Sequence, residues 1–217
     1  MAVYKASPLG AFTGKLGGMV LTKWKTLLVG RSAPVKVTKK PSEAQEDQRL
    51  KLSLVSKFLT VNRKAIDIGF QSASRKMTPL NYATRYHMGR VIYGIYPDYK
   101  LNYSEIKLTL PNSVNQIANG KIVNVNLLAA GKLEIRWKAV EFPNDCTMND
   151  DCVCLLIYNE AKQKSLFIQR VAQRDELSAT IVLPDAYWNI NVHAYLFFLS
   201  ANGKLVSATH YLGSFIC

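Results

Sequence analysis

Hydrophobic periodicity changes once along this chain, at Tyr96-Pro97. Before that point large apolar residues recur at helical spacing, as in Leu50, Leu54, Val55, Phe58 and Leu59. After it they alternate with polar ones. Ile106, Leu108 and Leu110 alternate with Glu105, Lys107 and Thr109, and Leu133, Ile135 and Trp137 with Lys132, Glu134 and Arg136. One helix face repeats every ~3.6 residues and one strand face every second residue, so neither pattern can serve as the other. The expectation is an α+β protein with helices first and an antiparallel β half behind them.

The helical stretch carries its own start and stop signals. Ser42 suits an N-cap, Gln45 completes a capping box, and Glu43, Glu46 and Asp47 suit the positive helix end. A second short helix is expected to reach Ile68, with Gly69 as terminator. Thr78-Pro79 opens a third, expected to end near Gly94. Tyr82, Tyr86 and Tyr93 interleave there with Arg85 and Arg90. Such a stripe stacks bases in single-strand nucleic-acid binders. The plainer and preferred reading is core packing with solvated arginines.

Beyond Ile106–Leu110, strand-like runs lie at Ile122–Leu127, Leu133–Trp137, Cys152–Tyr158, Ser165–Arg170, Leu177–Leu183, Ile190–Leu199 and Leu205–Phe215. That makes seven to eight strands, with Asn202-Gly203 as a hairpin turn between the last two. Trp137 on an early strand and Tyr195 and Phe197 on a late one are the expected core of a β-sandwich. Its architecture is immunoglobulin-like, but no Cys–Trp–Cys spacing marks a true immunoglobulin domain. Three regions result: a basic arm over 1–40, a helical region over 41–97 and the sandwich over 98–217.

Charge divides differently. Met1 to Ile95 carries 17 Lys and Arg against four acids, whereas Tyr96 to Cys217 carries 11 of each sign. Residues 1–40 hold eight bases and no acid. Five glycines in the first 30 residues argue against a helix there. Large side chains such as Phe12 and Trp24 argue against a merely flexible tail. The expectation is an extended arm lying on another surface, with Phe12 and Trp24 as anchors. Lys15, Lys23, Lys25, Arg31, Lys36, Lys39 and Lys40 would meet nucleic acid or an acidic partner.

Signals for chemistry are weak. Gly10-x-x-x-Gly14-Lys15-Leu16 fails as a phosphate loop in spacing, in lacking Ser or Thr after the lysine, and in lacking a preceding strand. Cys146, Cys152 and Cys154 do not have zinc-ligand spacing, and His87, His193 and His210 are scattered without a paired carboxylate in sequence reach. The acidic stretch Glu141–Asp151 lacks calcium-loop spacing and reads as a solvated loop, or as a receiver for the basic arm of a neighbouring copy. No catalytic residue, metal site or cofactor is expected. No apolar run is long enough for a membrane helix or a signal-peptide core, so a cytoplasmic protein is expected.

Several short motifs recur in one order. Gly14-Lys15-Leu16-Gly17, Trp24-Lys25, Arg31-Ser32-Ala33-Pro34, Glu43-Ala44-Gln45, Arg49 and Lys57-Phe58-Leu59 come first. Gly69-Phe70, Gly94-x-Tyr96-Pro97, Tyr158-Asn159, Leu183-Pro184 and Tyr211-x-Gly213 continue the series. In these motifs the chain resembles an uncharacterised family known mainly from Bacteroidota and catalogued as a domain of unknown function. The resemblance implies an arrangement of Gly-Lys arm, helical middle and β-rich C-terminal half, and brings no reaction or catalytic residues.

Together these readings predict a non-enzymatic structural or assembly protein, of the kind found in virions or derived from phage. It would form homo-oligomers or join other assembly subunits, in the cytoplasm or in a virion assembled there. The alternative is a cytoplasmic nucleic-acid-binding module of low sequence specificity.

Overall fold

The structure, a computed structural model, describes all residues except 1, 7–9, 25–26, 36–39, 74–76, 111–115, 129–130, 142, 189 and 217. The chain forms two compact units, Met1–Ser42 and Glu43–Cys217.

The first unit is a small antiparallel sheet. Its strands are β1 (Ala2–Tyr4), β2 (Gly14–Leu16), β3 (Met19–Trp24) and β4 (Leu27–Ser32), in the order β1-β4-β3-β2. The expected extended arm is thus corrected for its described residues: the strands bond to one another. Glycines that discourage a helix serve this sheet in its tight turn, where Gly17 adopts φ +52 between β2 and β3.

The second unit has three layers. Helices α1 (Glu43–Val61), α2 (Arg63–Gly69) and α3 (Pro79–His87) form one. A hairpin of β5 (Ile92–Ile95) and β6 (Asp98–Leu101) follows α3. The strands of the β half are β7 (Lys121–Leu128), β8 (Lys132–Lys138), β9 (Cys152–Asn159), β10 (Lys164–Ile168), β11 (Ser178–Val182), β12 (Asn191–Leu199) and β13 (His210–Ile216). They build a four-stranded sheet, β10-β9-β12-β13, and a three-stranded sheet, β11-β8-β7. The fold is α+β with a β-rich C-terminal half.

The four-stranded sheet is the shared wall. Successive strand residues face opposite ways, and both faces of β9 and β12 are covered. Val153, Leu155, Ile157, Leu196 and Phe198 pack against Ile135, Trp137 and Ile181 of the other sheet. Leu156, Tyr158, Tyr195, Phe197 and Leu199 pack against Phe58 and Leu59 of α1 and Ile66 of α2. Fully burying one such side chain contributes about 1.5–3 kcal/mol, so the double-sided wall dominates the core. This revises two expectations. The helices pack on the outer face of the four-stranded sheet and belong to one unit with the sandwich, where separate regions were expected on either side of residue 97. Tyr195 and Phe197 face the helices, and it is Phe198, one residue on, that meets Trp137 edge-on with ring centroids 6.0 Å apart.

Two element predictions also change. The helix expected to reach Gly94 ends at His87. Its start behaves as expected: Thr78 caps it by accepting from the Asn81 amide at 3.2 Å. Gly94 instead lies in β5 with φ +105, where a Cβ would sit 2.4 Å from the Asp98 carbonyl. The hairpin is tied to α1 by Tyr99, whose hydroxyl donates to Asp47 at 2.6 Å.

The run Ile106–Leu110 is buried but is not a strand, because its amides find partners outside any ladder. Lys107 donates to Nε2 of His87, Leu108 and Thr109 to the Thr209 hydroxyl, and Leu110 to the Gly69 carbonyl, all within 3.1 Å. Backbone groups in a buried segment must be paired, and side chains satisfy that need here as a neighbouring strand would.

Candidate functional site

The register of the N-terminal sheet sorts the sequence-predicted contact residues. Directly paired residues share a face. Lys15 pairs with Val20 and Val20 with Arg31, so both cations lie on one face with Val3, Trp24 and Leu27. Lys23 pairs with Leu28 on the opposite face. That face carries Tyr4, Leu16, Met19, Leu21 and Leu28, and none of the five is fully buried: Leu16 is 72% exposed and Met19 52%. Phe12 and Trp24, the predicted anchors, are 55% and 45% exposed. The Phe12 carbonyl accepts from the Tyr4 hydroxyl. Lys40 is exposed beyond the sheet, and Lys25, Lys36 and Lys39 lie outside the described residues.

In the layered unit, sequence reasoning missed two polar assemblies. One is a buried ion pair at an end of the sandwich. Nε of Arg174 lies 3.1 Å from Asp151, Nη2 donates to the Ala118 carbonyl at 2.8 Å, and the guanidinium covers the Phe198 ring at 4.0 Å. Burial pushes both groups towards their neutral forms, against their mutual attraction. Asp151, read in the sequence as part of a solvated acidic loop, is thus inside the protein, while Glu141, Asp145 and Asp150 remain exposed.

The other assembly lies on the helix-facing side of the central sheet. Register places His193 beside Tyr158, and Tyr195 beside Tyr211. The Tyr211 hydroxyl is 2.9 Å from Nδ1 of His193, and the Tyr103 ring stacks on the imidazole at 3.9 Å and 19°. Glu160 lies 3.8 Å from Nε2 of His193, so the structure supplies a carboxylate neighbour that sequence reading did not find. Burial holds the His193 pKa below its ordinary value, against the attraction of Glu160, and pushes the Tyr103 phenol well up. A cleft of about 380 Å³ opens beside this group, lined by Tyr93, Asn102, Tyr103, Ser104, His193 and Tyr211. The sequence signal is a single histidine in the apolar strand Asn191–Leu199. Its partners come from three separate segments, around Tyr103, Tyr158–Glu160 and Tyr211, which only the fold brings together.

Cys146, Cys152 and Cys154 are free thiols, and burial raises Cys154 to about 11, far from a reactive thiolate. Among the described residues, no three His, Cys, Asp or Glu side chains converge as a metal-binding group. No helix of the described chain is long and apolar enough to cross a membrane.

These features define a layered α+β protein preceded by an acid-free, cationic sheet. The chain belongs to a family of unknown function (DUF6266), whose pattern matches residues 11–213 and so takes in most of the sheet as well as the layered unit. No curated protein matches the chain.

Proposed function

We propose that this chain is a non-enzymatic assembly protein whose N-terminal sheet is completed by a neighbouring subunit. One observation carries the reading: Tyr4, Leu16, Met19, Leu21 and Leu28 line one sheet face without any being fully buried. A unit of this size rarely holds itself together without a staple or partner, and a sheet needs a cover for its apolar face. Residues 1–42 contain no cysteine, and among the described residues they provide no helix or second sheet as cover. The subunit would be another copy of the chain or a different shell component, in a particle assembled in the cytoplasm. A phage-derived or virion component fits this division of labour, and a family range centred on Bacteroidota, as the resemblance implies, is compatible with it.

The testing experiment is light scattering on the nuclease-treated full chain, from about 0.1 M to about 1 M salt. An oligomer that persists in salt and is lost on deleting residues 1–42 supports the reading. A monomer under all conditions sinks self-assembly.

A second reading, a nucleic-acid-binding module of low specificity, is favoured by Lys15 and Arg31 sharing a face with Trp24. Cations that track phosphates beside an aromatic ring that stacks a base are the chemistry of single-strand binding. A monomer retaining nucleic acid at low salt and shedding it at high salt would favour it.

A further inference from the structure

The cleft beside His193 belongs wholly to the layered unit, and its chemistry is separate from the assembly reading. Two separate pieces of chain build it. Tyr93 and Leu101 come from the β5–β6 hairpin, with Asn102, Tyr103 and Ser104 just after it, while His193 and Tyr211 come from the central sheet. At about 380 Å³ it lies in the range of small-molecule sites.

Its lining carries no formal charge. The only titratable groups among the seven lining residues are three tyrosines and His193, whose burial favours the neutral imidazole. Outside the lining, Glu160 lies 3.8 Å from Nε2 of the imidazole, and Lys100 pairs with Tyr93 across the hairpin. A phosphate or carboxylate ligand would lose its hydration here and gain no ion pair in return.

The hydrogen-bonding capacity runs both ways. Oδ1 of Asn102 accepts from the Ser104 amide at 3.2 Å and from its hydroxyl at 2.7 Å, which fixes the side chain and leaves the amide N–H groups to donate. The Ser104 oxygen retains accepting lone pairs. The Tyr211 hydroxyl and Nδ1 of His193 share a hydrogen bond of 2.9 Å, which fixes the phenol at the edge of the cleft. Alongside stand aromatic bodies: Tyr93, 55% exposed, and Tyr103, stacked flat on His193. Tyrosine presents an apolar face with a polar tip. The complementary ligand has an apolar face edged by groups that both donate and accept, and no charge.

We propose that this cleft binds a neutral carbohydrate, with one pyranose face against Tyr93 and Tyr103 and its hydroxyls on Asn102, Ser104 and Tyr211. A nucleotide is disfavoured because no cation lines the cleft to meet its phosphate.

The test titrates the full chain with maltohexaose, cellohexaose and xylohexaose, with adenosine as the competing probe. Calorimetry and saturation-transfer NMR give the readouts. The expected result is saturable binding of at least one oligosaccharide, weakened about tenfold or more by Tyr93→Ala and by Asn102→Asp, which keeps the acceptor for Ser104 and removes the amide donor, with the unfolding midpoint unchanged. Tyr93 and Asn102 are exposed, so both variants should fold. Absence of binding across the panel, binding unaffected by both variants, or tighter binding of adenosine than of any sugar would each overturn the proposal. The same titration on the chain lacking residues 1–42 should give the same affinity, so loss of assembly and loss of sugar binding remain separate outcomes.

Discussion

Nε2 of His87 accepts the backbone N–H of Lys107 at 3.1 Å, while Nδ1 donates to the Ala83 carbonyl at 2.7 Å. The imidazole is therefore held as one neutral tautomer, with its proton on Nδ1. A second proton would have to enter at Nε2, where it meets an N–H. Burial, with Arg90 and Lys107 nearby, accordingly lowers the pKa from its ordinary 6.5, although the Ala83 hydrogen bond opposes this.

A stability profile results from that linkage. Above the ordinary value neither the folded nor the unfolded His87 is protonated, and its contribution is fully present. As pH falls below it, the unfolded chain takes up a proton that the folded chain refuses, and stability declines until the folded pKa is passed. His193 and His210 are shifted the same way by burial. Urea midpoints measured from about pH 7.5 to about pH 5 should fall steadily, and less steeply in His87→Gln. An equal slope in that variant would refute the assignment.

Close approach of α2 to the segment before the sandwich gives a second prediction. A Cβ on Gly69 would sit 1.9 Å from the Leu108 carbonyl oxygen and 2.9 Å from the Thr109 Cα, both backbone atoms. Gly69→Ala should cost about 1–3 kcal/mol or more in thermal unfolding. Gly89→Ala, with nothing within 4 Å, is the control and should stay within about 0.5 kcal/mol.

The Asp151–Arg174 pair should show asymmetric mutational costs. Arg174→Ala strands a buried carboxylate and is expected to cost about 3–5 kcal/mol. Replacing both groups by apolar residues, as in Asp151→Leu with Arg174→Met, should recover much of that loss. A double variant as unstable as the single would mean that the hydrogen bond to Ala118 and the packing on Phe198 outweigh charge pairing.

For the N-terminal sheet, Leu16→Lys with Met19→Lys should dissociate the proposed oligomer without moving the unfolding midpoint of residues 43–217. Lys15→Ala with Arg31→Ala probes the other reading. If those cations bind phosphates, the double variant should lower the salt slope of binding by about two units. An unchanged slope would argue against the phosphate role.

How far the sequence reveals this protein depends on how local each signal is. Thr78-Pro79 marks a helix start and Gly69 a helix end because capping is decided within a few residues. The unbroken apolar run Cys152–Tyr158 reads as a strand, and its burial on both faces explains why it does not alternate. Ile106–Leu110 alternates like a strand yet is not one, because its amide partners lie about a hundred residues away in Thr209, or on His87 and Gly69. Non-local pairing hides the cleft as well: Tyr158, His193 and Tyr211 become neighbours only through the register of β9, β12 and β13, and Tyr103 stacks on His193 from the turn after β6. In the basic N-terminal stretch, charge and glycine content were legible. The self-pairing of its short strands was not, since few-residue strands give little periodicity.

The placement of the three tryptophans turns this chain into its own reporter. Trp24 lies half-exposed in the N-terminal sheet, Trp137 is sealed within the sandwich with its indole N–H on the Arg174 carbonyl, and Trp188 rests partly exposed against Gly131. Their emission should therefore separate by colour, blue for Trp137 and redder for the other two. Single-tryptophan versions would let a spectrometer follow subunit docking and core melting independently in one cuvette.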